Sequence, residues 1–238
     1  MVFDSYYYLF LFLPIAFILY QFVRETRYHN IALCTASMIF YAYGQLIYLS
    51  LLIFISIQDY YIADILHRTV NETMRKLLVV LSVFSNLFIL AIFKYTDWFI
   101  GIINDYSKYV PINGRTLPII PHLNLILPIG ISFYVFHTIS YTVDAYRRIV
   151  IPKKNIIDYM TFVSFFPLLV AGPIQRARDL LPQISQIRAR PSYRAIEYSI
   201  FLILYGLTKK IVFADNLGKL IDHCRSTLNN PDAVSVPG

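Results

Sequence analysis

Charge is scarce in this chain of 238 residues: Asp, Glu, Lys and Arg make up 15%, against about 25% in soluble domains. The segments 5–23, 30–58, 77–93 and 116–143 contain no charged side chain at all. Hydrophobic residues reach 57%, and the mean hydropathy is +0.56. That composition excludes a disordered chain and a soluble nucleic-acid binder, because so much apolar surface finds no use in a soluble globule. Apolar stretches of about 17–25 residues are long enough to cross a bilayer as helices.

Cysteine is scarce too. Cys34 and Cys224 form no framework, and no CxxC pair is present, so a disulfide-stapled secreted domain, redox chemistry and zinc binding are all unsupported. No P-loop, GxSxG, HExxH or GxGxxG motif occurs. A cleavable leader is not indicated either: Asp4 stands where a positive n-region belongs, and no small-x-small site follows Tyr20.

Within this apolar background the charge is lopsided, with 21 basic against 14 acidic residues and a net charge of +7. In a membrane protein, basic loops anchor and orient helices on the cytosolic side. Ser5–Val23 reads as a first span with its N-terminus outside, followed at once by Arg24 and Arg27. The 29 residues from 30 to 58 would make a helix of about 43 Å, longer than a hydrocarbon core of about 30 Å, so a break is expected at Tyr43–Gly44–Gln45. Arg68–Lys76 returns to the cytosol, and Leu77–Phe93 leads outward again. Lys94–Arg115 reads as mixed, with Trp98, Tyr106 and Tyr109 as interfacial aromatics, and Pro111, Gly114, Pro118 and Pro121 mark an irregular connection.

After Pro128 and Gly130 a helix is predicted to about Arg148, ending on Arg147, Arg148, Lys153 and Lys154. Residues 159–175 are uncharged, but Phe166–Pro167 and Ala171–Gly172–Pro173 interrupt them, and basic residues flank both sides. A segment that dips in and returns is expected, surrounded by protein or water. A last apolar stretch covers Ala195–Ala214, before a polar tail with a loop at Asn229–Asn230–Pro231. The segments placed in the cytosol hold 14 of the 21 basic residues; Lys94, Lys108 and Arg115 run against the pattern. The expected fold is all-α: one polytopic membrane domain over residues 1–238, a multi-helix bundle with a re-entrant segment.

Three groups carry possible chemistry. His137, Ser140, Asp144 and Arg147 fall within about 80° of one helical face, flanked by Tyr134 and Tyr141. A polar stripe on a membrane helix faces protein or water, either as hydrogen bonds between helices or as the wall of a substrate tunnel. Gly172 and Pro173 make either a tight turn or a stretch of cavity-lining backbone. Lys209 and Lys210 either snorkel to the interface or attract an anionic donor such as a CoA thioester or a phosphate. No metal site is indicated.

At these residues the sequence resembles a known family. The marks are Leu127–Pro128–Ile129–Gly130–Ile131–Ser132–Phe133–Tyr134, continuing through Ile139–Ser140–Tyr141 to Asp144–Ala145–Tyr146–Arg147; Phe165 through Ala171–Gly172–Pro173–Ile174–Gln175–Arg176, then Leu180–Leu181–Pro182–Gln183; and Gly206–Leu207–Thr208–Lys209–Lys210 with Ala214–Asp215. Phe40–Tyr41–Ala42–Tyr43–Gly44 fits as well. In this order they resemble the bacterial branch of the membrane-bound O-acyltransferases, the branch that includes alginate O-acetylation, and this chain resembles an N-terminal portion. The resemblance implies a ring of helices around a tunnel. It implies transfer of an acetyl group from a cytosolic donor, acetyl-CoA, toward an extracytoplasmic polysaccharide, with an extracytoplasmic acetyltransferase as partner and no nucleic acid involved. The location implied is a bacterial inner membrane. D-alanyl transfer to teichoic acid, or a transporter or flippase, are the alternatives. The family's catalytic histidine belongs to a later segment; none of His29, His67, His122, His137 and His223 sits in its context, and no catalytic residue is assigned here. Arg176 joins the candidate binding residues through its motif.

Overall fold

The computed structural model describes residues 5–109, 119–152, 155–170, 172–173, 175–187 and 190–229. Asp4, Pro111, Gly114, Arg115, Pro118, Lys153, Lys154, Ala171, Ile174, Arg188 and the segment from Asn230 lie outside them, as do the side chains of Lys108 and Tyr109. Every regular element among the described residues is a helix. A π-helical turn, Tyr7–Phe12, runs into α1 (Leu13–Val23); α2 is His29–Arg68, α3 Glu72–Tyr109, α4 Ile131–Tyr146, α5 Ile156–Ser164, α6 Phe166–Leu169 and α7 Ala177–Ser185. Among the described residues two helices, α2 and α3, are long and apolar enough to cross a membrane.

The break expected from length alone is present. Gln45 interrupts α2 with φ −155° and ψ 81°. Its side chain compensates: Ile129 N–H donates to Gln45 Oε1 at 2.7 Å, and Gln45 Nε2 donates to Leu127 O at 3.4 Å. The kink in α2 thus supplies partners to the irregular backbone that leads into α4. Asn104 on α3 serves the same connection, exchanging two 2.9 Å hydrogen bonds with the backbone of Ile120.

α3 departs from expectation. The span expected to end at Phe93 continues as helix through the stretch read as mixed, to Tyr109. Lys94 and Asp97 are compatible with helix, and no proline intervenes before Pro111. Asp215–Asn229, read as a polar tail, is likewise helical.

α2 packs against α3, α4 and α5, and α7 against α4 and α5. Leu52 and Ile55 of α2, Tyr134 and Val135 of α4 and Phe162 of α5 are fully buried in one cluster. A second cluster pins the N-terminal π turn, with Phe12 lying edge-on to Phe166 at 5.2 Å and beside Phe40 at 5.6 Å. The broken segment α5–α6 is held at its break, where Phe166 N–H donates to Ser37 Oγ at 3.2 Å. Gly130 begins α4 with φ 73°, and a Cβ there would stand 2.3 Å from the Leu169 carbonyl oxygen. Only glycine lets α4 start this close to α6.

The contacts divide the chain into two compact units, residues 1–188 and 189–238. Within the second, α8 (Tyr193–Thr208), a π-helical turn (Lys209–Ala214) and α9 (Asp215–Asn229) follow one another directly. α8 buries none of its residues.

Gly130→Ala combines a positive φ with a backbone clash and is expected to cost about 1–3 kcal/mol or more. Gly206 has nothing within 4 Å of its would-be Cβ, so Gly206→Ala should be neutral or stabilise by up to about 1 kcal/mol. Thermal unfolding in detergent, comparing the two variants, checks both.

Candidate functional site

α4 presents polar groups on two of its faces. Toward α2 and α3, Thr138 and Thr142 join a cluster around Asp59 in which Asp59, Ser82, Asn86, Thr138 and Thr142 are all fully buried. Ser82 Oγ donates to Asp59 Oδ1 at 2.6 Å, and Asn86 Nδ2 donates to Asp59 Oδ2 at 2.6 Å. Thr142 Oγ1 lies 3.3 Å from Ser82 Oγ, and Thr138 Oγ1 lies 3.3 Å from Asn86 Oδ1. Three helices meet on one carboxylate.

Toward α5, α4 presents His137 and Tyr141. His137 is 1% exposed; its ring lies 5.6 Å from that of Phe162, and Gln175 N–H donates to its Nε2 at 3.3 Å. Tyr141 and Tyr159 pack ring to ring at 4.5 Å. The Tyr159 hydroxyl and Asp144 Oδ2 are buried without a hydrogen-bond partner. Buried polar atoms of this kind are normally satisfied by water or ligand.

The predicted stripe is therefore uneven. His137 and Asp144 are buried, Ser140 is half-buried, and Arg147 is exposed at the C-cap of α4. Gly172 is half-buried, and a Cβ on it would come within 2.5 Å of Leu168 Cα, so its place is a tight packing position. Pro173 and Arg176 are exposed, Arg176 as the N-cap residue of α7. In the second unit, Lys209 lies over the Tyr205 ring at 4.3 Å, and Lys210 pairs with Asp215 at 3.1 Å. Both lysines are engaged by their own unit.

Sequence reading missed the Asp59 cluster. The signal was available as two polar pairs at i, i+4 inside apolar helices, Ser82 with Asn86 and Thr138 with Thr142. It also missed two buried arginines. Arg75, 3% exposed, donates to Glu72 and to the Tyr146 carbonyl at the end of α4. Arg24, 1% exposed, pairs with Glu25 at 2.8 Å.

Two clefts among the described residues are lined by other side chains. An apolar one of about 420 Å³ is lined by residues including Phe12, Ala16, Ala36 and Phe166. A polar one of about 650 Å³ lies between the end of α2, with Tyr60, Asp64, His67 and Arg68, and the connection at Ile151–Pro152.

Removing one donor from a buried carboxylate leaves charge undersolvated. Asn86→Ala is expected to destabilise the protein by about 2–4 kcal/mol. Ser199→Ala, on exposed α8, should stay within about 0.5 kcal/mol; equal unfolding midpoints for the two variants would contradict a structural role for the cluster.

No family model matches the chain, and no solved structure matches it closely. Curated relatives do. A Pseudomonas syringae pv. tomato protein named "Probable alginate O-acetylase AlgI" is 38% identical over 232 residues, 97% of this chain and 43% of that protein. The protein of the same name from Pseudomonas aeruginosa is 36% identical over the same shares of the two chains. A Helicobacter pylori protein named "Peptidoglycan O-acetyltransferase" is 31% identical over 251 residues, 93% of this chain and 46% of the relative. The chain thus spans somewhat less than half the length of these relatives. Along nearly its whole length the chain is thus similar, at 36–38% identity, to proteins named as alginate O-acetylases.

Proposed function

We propose that this chain supplies the helical scaffold of a membrane O-acetyltransferase, which moves an acetyl group from a cytosolic donor toward an extracytoplasmic polysaccharide. The observation that carries the reading is the 36–38% identity along 97% of the chain to proteins named as alginate O-acetylases. The relative named for peptidoglycan widens the acceptor class to a cell-envelope glycan. These names favour acetyl over D-alanyl transfer, and they favour an enzyme over a transporter.

Acetyl-CoA is the proposed donor, and an extracytoplasmic acetyltransferase the proposed partner that completes delivery. The proposed topology is multi-pass in a bacterial inner membrane, with the N-terminus extracytoplasmic and α5–α6 re-entrant. That topology puts the ends of α2 and α4 in the cytosol, so the cleft beside His67 and Arg68 opens toward the donor's side. Along α4, His137, Ser140 and Asp144 form the proposed tunnel wall, with Gly172 and Pro173 closing it and Arg147 and Arg176 at its cytosolic end. The unpaired Asp144 Oδ2 and Tyr159 hydroxyl support this, because they keep hydrogen-bonding capacity for a polar ligand. Lys209 and Lys210 fit the role of interface anchors, given their engagement with Tyr205 and Asp215.

The direct test is disruption of the gene, followed by measurement of ester-linked acetate in envelope polysaccharide. A clear drop, restored by the intact gene, is expected; unchanged ester content would overturn the assignment. Inverted membrane vesicles given radiolabelled acetyl-CoA should transfer label to glycan, and failure with that donor alone would reject acetyl-CoA. The wall is tested by single cysteines in a background lacking Cys34 and Cys224. Cysteine at His137 or Asp144 should react with a small polar thiol reagent, whereas cysteine at Phe136, 41% exposed on an apolar face, should not. The reverse pattern would place the wall elsewhere.

A further inference from the structure

We infer that the Asp59 cluster is a binding site for one monovalent cation of the sodium class. The starting observation is a buried carboxyl group with no cation among its hydrogen-bond partners. Asp59 is fully buried at the junction of α2, α3 and α4, and the side chains that hydrogen-bond to its carboxyl group, Ser82, Asn86, Thr138 and Gln58, are all neutral. The buried cation on the same helix as Ser82 and Asn86 is Arg75, two turns away from Ser82, and it is committed to Glu72 and the Tyr146 carbonyl. A carboxyl group in a low-dielectric interior stays ionised only beside a compensating positive charge and otherwise holds a proton.

The surroundings have the composition of a hard-cation site. Asp59, Ser82, Asn86, Thr138 and Thr142 bring side-chain oxygens from three helices within hydrogen-bonding reach of one another. No soft ligand is among them, and oxygen-only donor sets select hard ions. A hydroxyl either donates or presents its lone pairs by rotation about one bond. Ser82, Thr138 and Thr142 can therefore pass from hydrogen bonding to coordination without moving the backbone. The single carboxylate sets the ion's charge: one monovalent cation leaves the cluster neutral, whereas a divalent ion would leave a buried excess of one positive charge. Binding would fasten α2, α3 and α4 together, so the ion acts on the scaffold. This inference does not depend on what reaction the protein performs.

The experiment is thermal unfolding of the purified full-length protein in detergent, at fixed pH and ionic strength, with NaCl exchanged stepwise against N-methyl-D-glucamine chloride. The unfolding midpoint should rise saturably with Na⁺, and K⁺ should need a higher concentration for the same effect. Asp59→Asn should abolish the dependence. Thr142→Val, which removes one oxygen and keeps the carboxylate, should raise the half-saturating Na⁺ concentration about tenfold or more; this arm decides the matter should Asp59→Asn fail to fold. A wild-type midpoint indifferent to Na⁺ overturns the inference, including the case in which it responds only to pH, since a proton then balances the carboxylate. An Na⁺ response unchanged in Thr142→Val, or surviving in Asp59→Asn, also overturns it.

Discussion

The carboxylate of Asp59 constrains how this bundle can assemble. A buried carboxylate tolerates little slippage, because each lost donor leaves charge without solvation. Apolar side chains alone would let α2, α3 and α4 slide past one another, since lipid satisfies an apolar surface as well as a neighbouring helix does. Ser82 and Asn86 fix the register of α3 against Asp59, and Thr138 and Thr142 fix α4 against α3. Arg75 adds a second tie at one end of the same pair of helices, through the Tyr146 carbonyl.

Once the three helices are in register, the irregular backbone around them becomes affordable. Each interruption has a dedicated partner on another element. Gln45 serves the backbone at Leu127 and Ile129, Asn104 that at Ile120, and Ser37 the N–H of Phe166. Gly130 allows the closest approach, where α4 begins against the Leu169 carbonyl. These side chains lie far in sequence from the breaks they serve, so the broken elements are stable only in the assembled bundle. Interrupted backbone among membrane helices survives when protein or water surrounds it, and here side chains do much of that work.

This division explains what could be read in advance. The break at Gly44–Gln45 was legible because a 29-residue uncharged run exceeds the thickness of a bilayer. The start of α4 was legible because Gly130 follows Pro128. The extent of α3 was not: Lys94 and Asp97 resemble the end of a span, but charge does not stop a helix, and the next proline lies at 111. The stripe on α4 was half legible. Spacing put His137 and Asp144 on one face, yet could not show that Arg147 sits at the C-cap and points out of the packed interior. The Asp59 cluster escaped because Asp59 looked like the polar boundary of its run, whereas α2 continues to Arg68 and buries it.

The buried polar groups of α4 fall into two kinds, and the difference bears on function. Around Asp59 the hydrogen bonds are largely satisfied by protein. Two other polar atoms differ: Asp144 Oδ2 and the Tyr159 hydroxyl are buried with their hydrogen-bonding capacity unused. A satisfied network resists rearrangement and suits a scaffold, while unused capacity in a buried place suits the passage of a polar ligand or water. The two faces of one helix can thus hold the bundle rigid on one side and remain receptive on the other. The proposed acyl transfer would draw on both properties along the same helix.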